Sequence, residues 1–157
     1  MIAMYKTFVR SRLEYCSSVW SPALKTLSTD LEKVQRSFTK YLPGLFDMEH
    51  HQREKLVGLD TLESRRMVND MVVVYKLVNG LFVGIDSANF FAFARSSNRG
   101  HSCKLFKPSA SHSARINFFS FRVIDVWNSL PESIISIKSV KLFRKRCTDH
   151  LRRTIAE

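Results

Sequence analysis

The chain of 157 residues has the composition of a folded protein and a strong excess of positive charge. Its 45% hydrophobic residues, including 12 Phe, distinguish it from disordered chains, which lack the apolar surface needed to offset chain entropy. The apolar run Met71–Tyr75 is as long as any in the chain, and it is far shorter than the ~20 residues of a membrane-spanning helix. With a formal net charge of +11, nucleic acid is the first partner to consider and an anionic membrane surface the second.

The cysteines and the N-terminal residues indicate a reducing compartment. The three cysteines are odd in number and widely separated, so they do not form a disulfide framework: Cys16, Cys103 and Cys147. Lys6 and Arg10 stand where a secretory signal peptide would need an apolar run. We therefore expect the protein in the cytoplasm or nucleus, with no membrane partner.

Two helices are predicted in the first 45 residues. The first runs from Ile2 to Ser17, because apolar residues recur there at steps of three and four. Its predicted inner face consists of Ile2, Tyr5, Val9, Leu13, Cys16 and Trp20. The second begins at the capping box Thr29–Glu32 and ends at Pro43. Its predicted inner face is Leu31, Val34, Phe38 and Tyr41.

A short helix and a third long helix follow. The short helix spans Glu49 to Leu56 and ends at Gly58. A second capping box, Asp60–Glu63, starts the long helix, which stops at Gly80. The predicted inner face of this helix is Met67, Met71, Val74 and Val78.

The last third of the chain contains two more predicted helices. One carries Phe119, Val123, Trp127 and Leu130 and is closed by Pro131. The other follows Ser139, with Val140, Phe143, Cys147 and Leu151 on its inner face. The sequence predicts a mainly α fold, a helical bundle of five or six helices. It also allows a short β-hairpin between the third long helix and the Trp127 helix. Residues 103–107 lie between two predicted loops, and their alternation of apolar and polar residues is typical of a short strand.

Positive charge is concentrated in the second half of the chain. Residues 1–80 hold 12 Lys and Arg against nine acids, whereas residues 81–157 hold 13 against five. Between Asp86 and Asp125 lie 38 residues without one acid. An ordinary surface mixes both signs, so these cations are candidates for contact with phosphates. The candidate nucleic-acid-binding residues are Arg95, Arg99, Lys104, Lys107, Arg115, Lys141, Lys145 and Arg152.

Other residues in these regions favour less specific interpretations. Phe106, Phe118 and Phe121 also lie in the acid-free stretch, but their spacing favours the core over base stacking for most of them. Another cationic stripe, Lys33, Arg36 and Lys40, is best interpreted as a solvated helix face.

Catalytic and metal-binding patterns are weak. The aspartates are scattered, and the chain has no phosphate-binding glycine loop and no nucleophile elbow. In Asp47–Glu54, His50 and Glu54 would share a helical face, but a solvated surface explains them better than a metal site. The pairs His101/Cys103 and Cys147/His150 could supply zinc ligands, although Cys147 lies on an apolar stripe. We predict no catalytic residue, no bound metal and no cofactor.

An ordered series of short motifs resembles the region that follows the polymerase core in reverse transcriptases of jockey-like and chicken-repeat-like non-LTR retrotransposons. The series covers nearly the whole chain. It consists of Leu13–Pro22 (LEYCSSVWSP), Leu31–Arg36 (LEKVQR), Leu59–Arg66 (LDTLESRR), Tyr75–Gly80 (YKLVNG), Arg99–Gly100, Phe121–Pro131 (FRVIDVWNSLP) and Phe143.

The resemblance implies a non-catalytic part of an RNA-directed DNA polymerase. In that family the endonuclease and the catalytic aspartates lie upstream, so no catalytic residue can be carried over. Residues 1–45 would be a thumb-like helical pair, and residues 46–157 a C-terminal helical domain with basic loops at 95–115. The expected partners are the element's nucleic acid and the upstream polymerase domain. A protein-interaction or scaffolding module and an inert transposon remnant are the alternative interpretations.

Overall fold

The computed structural model describes residues 1–94 and 100–156, and it is mainly helical, as the sequence predicts. It divides into two compact units, Met1–Arg66 and Met67–Glu157. The sequence-based division after residue 45 follows the family resemblance rather than compactness, and it stays a prediction. No helix in the described ranges is long and apolar enough to cross a bilayer.

The first unit consists of short and long helical segments. They are α1 (Ile2–Met4), a π-helical segment (Tyr5–Arg10), α2 (Ser11–Glu14), α3 (Ser17–Trp20), α4 (Lys25–Lys40), α5 (His50–Val57) and the start of α6 (Leu62–Val78). The first three run without interruption, so the first predicted helix exists but ends at Glu14 instead of Ser17. The left-handed backbone of Cys16, with φ of 50°, separates it from α3.

The predicted inner face of the first helix is largely wrong. Tyr5 is buried, while Ile2 and Leu13 are only half-buried. Val9, Cys16 and Trp20 are exposed. The first unit therefore buries little of the apolar stripe that the spacing indicates.

Helix α4 buries polar residues instead of its predicted apolar face. Val34 and Tyr41 are exposed, and Leu31 and Phe38 are only half-buried. The buried residues of α4 are Ser28, Glu32, Gln35 and Thr39. The sequence prediction was wrong because it used hydrophobic period alone, whereas hydrogen-bonded polar side chains also tolerate burial.

Gln35 is the centre of this buried polar cluster. Its Oε1 accepts a hydrogen bond from the Tyr5 hydroxyl at 3.1 Å. Its Nε2 donates to Glu54 Oε1 at 3.0 Å and to the carbonyl oxygen of Asp60 at 2.9 Å. Gln35 thus ties together the first helix, α5 and the residues that precede α6, which explains its complete burial.

Both predicted capping boxes differ from the observed helix starts. Because α4 begins at Lys25, Thr29 lies inside that helix and donates to the Lys25 carbonyl oxygen at 2.9 Å. Glu32 instead accepts the backbone N–H of Glu63 at 2.8 Å, in the first turn of α6. Thr61 rather than Asp60 caps α6, since its Oγ1 accepts the N–H of Ser64 at 3.2 Å.

The second unit is built on the remainder of α6. Its other elements are a 3₁₀ turn (Ser87–Asn89), α7 (Ser113–Asn117), α8 (Phe119–Arg122), α9 (Ile124–Ser129), α10 (Glu132–Ile135) and α11 (Val140–Ala156). The helices are therefore shorter and more numerous than the predicted five or six. In the described part of the chain the predicted hairpin is reduced to one antiparallel bridge between Phe93 and Leu105.

The core of the second unit agrees with the predicted inner faces. Met71 and Val74 of α6 are buried, as are Phe143, Cys147 and Leu151 of α11. The completely buried Trp127 belongs to the same core cluster. Tyr75 stacks on Phe143 with ring centroids 4.3 Å apart, which packs α6 against α11.

Candidate nucleic-acid interface

The segment 101–107, which carries two of the candidate cations, is fixed to α9 by side-chain hydrogen bonds. Asn128 Oδ1 accepts the N–H of Leu105, and Asn128 Nδ2 donates to the Leu105 carbonyl oxygen, both at 2.9 Å. Trp127 Nε1 donates to the carbonyl oxygen of Cys103 at 2.8 Å. An irregular segment is thereby held in one conformation without a regular sheet.

The start of this segment is also anchored. His101 is completely buried, and its Nε2 lies 2.9 Å from the Trp127 carbonyl oxygen. Since a carbonyl only accepts, Nε2 carries the proton in this contact. The N–H of Ser102 donates to Glu132 Oε2 at 2.9 Å. The segment therefore holds its cations on a fixed backbone rather than on a loose loop.

The two cations of this segment differ in their surroundings. Lys107 forms an ion pair with Asp125, and its Nζ lies 5.2 Å from the ring centroid of Phe121. Asp125, the acid that closes the acid-free stretch, therefore offsets much of the Lys107 charge. Lys104 is half-buried beside Gly100, where an added Cβ would lie 2.5 Å from its Cε.

Arg115 lies on α7 at the edge of a pocket of about 480 Å³. Its side chain is exposed and has no ion-pair partner within residues 1–94 and 100–156. The pocket is lined by five Phe and by smaller residues: Phe90, Phe91, Ala92, Phe106, Pro108, Ala114, Arg115, Phe118, Ser120, Phe121 and Ile124. Arg115 is therefore the charged member of an otherwise neutral lining that contains five aromatic rings.

The exposure of the pocket phenylalanines corrects the sequence interpretation. Phe121 is buried, as expected for a core residue. Phe106 and Phe118, however, are 56% and 60% exposed. Their chain spacing does not show this, because a helical period applies only within one regular helix. Phe106 lies in the irregular 101–107 segment, and Phe118 lies between α7 and α8.

The remaining candidate cations lie on α11. Lys141, Lys145 and Arg152 fall within about 40° of one another around the helix axis, given 100° per residue. All three are exposed, on a side away from the buried Phe143 and Cys147. Arg152 lies 3.9 Å from Asp149. Within the described ranges neither Lys141 nor Lys145 has an ion-pair partner.

Several other cations have structural partners. Arg122 pairs with the buried Asp70 at 3.1 Å, and Arg144 donates to Asn69 at 2.7 Å. Lys33 pairs with Asp30 at 2.7 Å on the exposed side of α4, in line with a solvated helix face. The candidates Arg95 and Arg99 lie outside the described residues.

The weak metal patterns are only partly assembled. Ligand atoms of Glu49, His50 and His51 lie within 4.8 Å of one another, with Glu49 and His51 exposed. Glu54, the expected partner of His50, instead binds Gln35 in the interior. The residues of the zinc alternative form no such group in the part of the chain that the structure describes.

The structure thus places the described candidate cations in three locations. Lys104 and Lys107 lie on the 101–107 segment and Arg115 lines the aromatic pocket. Lys141, Lys145 and Arg152 share one side of α11 and are called the α11 group. Comparison of the chain with protein-family models, with curated proteins and with solved structures finds no match.

Proposed function

We propose that the chain is a non-catalytic C-terminal part of a retrotransposon RNA-directed DNA polymerase, and that it binds nucleic acid through the phosphate backbone. The motif series of the sequence supports the family. The observation that carries the binding function is the exposure of Arg115, Lys141 and Lys145 without ion-pair partners in the described residues. Such cations keep their full charge for phosphates and release counterions when they bind.

The α11 group suits backbone contact better than base recognition. Between Lys141 and Arg152 the helix rises about 16 Å at 1.5 Å per residue, so its three cations can reach several phosphates of one strand. Long Lys and Arg side chains on an exposed helix face position a polyanion but carry no sequence information by themselves. The proposed role is therefore auxiliary, in the cytoplasm or nucleus, with catalysis supplied by an upstream polymerase domain.

The test measures how binding depends on salt. Affinities for single- and double-stranded RNA and DNA are measured by fluorescence anisotropy across a range of salt concentrations. The slope of log affinity against log salt is negative, and in the variant Lys141→Gln/Lys145→Gln/Arg152→Gln it should become less steep by roughly 2–3 for a duplex. If binding by the unaltered chain does not weaken steeply with salt, the electrostatic mechanism is wrong.

A matched control separates the site from net charge. The variant Arg12→Gln/Lys25→Gln/Lys55→Gln also removes three exposed cations, but from the first unit. It should leave most of the affinity and slope intact. An equal loss in both triple variants would show that total charge, and not the α11 group, attracts the nucleic acid.

A specific feature of the first unit favours a second function, packing against another protein domain. Large apolar side chains are exposed there on several helices and in the turns between them: Met4, Phe8, Tyr15, Val19, Leu24, Leu27 and Tyr41. Where exposed apolar side chains form a contiguous patch they mark protein interaction sites, and these residues are the candidates for such a patch on the first unit. The upstream polymerase domain is the partner that the family resemblance suggests for this surface.

A further inference from the structure

The aromatic pocket of the second unit has a buried floor and an exposed rim. Phe91, Phe121 and Ile124 are buried and form the floor. Phe90, Phe106 and Phe118 are exposed and form the rim. Three solvent-exposed phenyl rings around one opening leave apolar surface in water that a purely structural role would cover. The rim therefore has the form of a binding site for a flat apolar group.

The charge at the pocket selects the kind of flat group. Arg115 is exposed in the lining, and no acid belongs to that lining in the described residues. The nearby carboxylate of Asp125 is paired with Lys107. A ligand that combines an aromatic face with negative charge fits this arrangement, because the rings can stack on its face while Arg115 binds the anion.

The pocket volume fits one base of a nucleotide. Its volume of about 480 Å³ lies within the roughly 300–1,000 Å³ of ordinary small-ligand sites. A base within a duplex has both faces covered by its neighbours, so only an unstacked base can enter. A neutral apolar peptide side chain would fill the same space but would leave Arg115 without a partner.

We infer that the aromatic pocket binds one unstacked base of a single-stranded nucleic acid, while Arg115 binds the adjacent phosphate. This inference rests on the proposed function and deepens it, since it adds a preference for single strands to general backbone binding. The stacking is tolerant of sequence because every base offers a π-face. The α11 group would supply the part of the affinity that duplex and single strand share.

The test uses the full chain and Phe118→Leu, which keeps an apolar side chain but removes the flat ring. Affinity for a short single-stranded oligonucleotide should fall about tenfold, the order expected for one lost stacked base. Affinity for a duplex and the salt slope should not change. Phe106→Leu should act in the same direction, and Arg115→Gln should weaken single-strand binding and lower its salt slope.

Phe46 provides the matched control. The exposed fraction of Phe46 is 59%, similar to the 60% of Phe118. Lys40 Nζ lies 4.7 Å from the ring centroid of Phe46. It is therefore an exposed Phe with a neighbouring cation, but it lies in the first unit and outside the pocket. Phe46→Leu should leave single-strand affinity unchanged. An equal loss in Phe46→Leu and Phe118→Leu would overturn the inference.

An abasic oligonucleotide gives a second readout that does not depend on one variant. Removing the bases should lower affinity for the unaltered chain, and Phe118→Leu should then have no further effect, because the two partners of the stack are lost together. Three results would contradict base binding in the aromatic pocket while leaving backbone binding in place.

The first is an unchanged single-strand affinity in Phe118→Leu. The second is a loss of duplex affinity in Phe118→Leu equal to its loss of single-strand affinity. The third is that the affinity losses caused by Phe118→Leu and by the abasic strand add. If the unaltered chain binds no nucleic acid at all, both proposals fail.

Discussion

The side-chain amide of Asn128 forms two hydrogen bonds with the backbone of Leu105. It accepts from the Leu105 N–H and donates to the Leu105 carbonyl oxygen, each at 2.9 Å. The amide thus takes the part that a neighbouring strand would play in a sheet. Leu105 is buried, and its only strand-like partner in the described residues is Phe93. One Asn side chain therefore supplies the hydrogen bonds that a second neighbouring strand would make, and it fixes the segment between Lys104 and Lys107.

We expect Asn128→Ala to lower the free energy of unfolding of the second unit by about 1–3 kcal/mol. The reason is that both backbone groups of Leu105 lose their partner, and unsatisfied buried polar groups are costly. The measurement is urea unfolding followed by Trp127 fluorescence, in a Trp20→Phe background that removes the other tryptophan.

The neighbouring Ser129→Ala is the control for this prediction. Ser129 is exposed, and its hydroxyl donates only to the Val126 carbonyl oxygen within α9. Its loss should change the free energy of unfolding by no more than about 0.5 kcal/mol. If Asn128→Ala behaves like Ser129→Ala, the two hydrogen bonds to Leu105 do not hold the segment.

The core of the second unit could be predicted from the sequence because its long helices bury ordinary apolar stripes. Met71 and Val74 of α6, and Phe143 and Cys147 of α11, are buried as their spacing indicates. Helix α4 could not be predicted in this way. Its apolar and polar residues both follow helical spacing, and only the partners of Gln35 show that the polar set is buried. No single-sequence pattern contains those partners.

The candidate interface was predictable in its charges but not in its aromatic part. Lys141 and Lys145 are visible in the sequence as cations opposite an apolar stripe, and the structure leaves them exposed. Lys107 also stands out in sequence, but its ion pair with Asp125 crosses 18 residues of chain. The exposure of Phe118 could not be predicted because this residue lies at the break between α7 and α8, where its backbone is extended and no single helical period applies. Short irregular helices are where periodicity arguments lose their force.

The buried Tyr5 should make the stability of the first unit depend on alkaline pH. Burial raises the pKa of Tyr5 from 10.0 to about 12, so the folded state keeps the phenol proton after the unfolded chain has lost it. The folded state then binds more protons than the unfolded state. By linkage, the free energy of unfolding falls as pH rises from about 10 to about 12, and it is unaffected by this group at lower pH.

Tyr5→Phe isolates this contribution. At neutral pH the variant should be less stable by about 1 kcal/mol, because the hydrogen bond to Gln35 Oε1 is lost. The difference between the two proteins should shrink above pH 10, since only the unaltered chain carries the buried phenol. Urea unfolding followed by circular dichroism at several pH values measures it. A difference that stays constant through this range would contradict the raised pKa of Tyr5.

The three cysteines should react with thiol reagents in a fixed order. Cys16 is exposed and should be modified first, whereas Cys147 is completely buried in the core. Burial also raises the pKa of Cys147 to about 12, so the reactive thiolate is scarce as well as inaccessible. We expect one fast thiol in the native chain and reaction of Cys147 only on unfolding.

Single substitutions assign the phases of this reaction. Cys16→Ser should remove the fast phase, measured by mass spectrometry after brief treatment with a maleimide. Cys147→Ser should leave the fast phase unchanged. Loss of the fast phase in Cys147→Ser instead would mean that the core around Trp127 and Phe143 opens readily in the native protein.

The exposed apolar side chains of the first unit should cause self-association of the chain in solution. Val19 and Tyr41 are 84% and 74% exposed, so replacing both with Ser removes apolar surface from water without opening a cavity. The double variant should shift sedimentation toward the monomer and change the free energy of unfolding by no more than about 0.5 kcal/mol.

Phe106→Ser in the second unit, also at an exposed position, is the control and should leave self-association unchanged. If Phe106→Ser has the same effect as the double variant, association follows general surface hydrophobicity rather than a face of the first unit. In that case the proposed packing of the first unit against a polymerase domain loses its support, while the proposed nucleic-acid binding through Arg115 and α11 is unaffected.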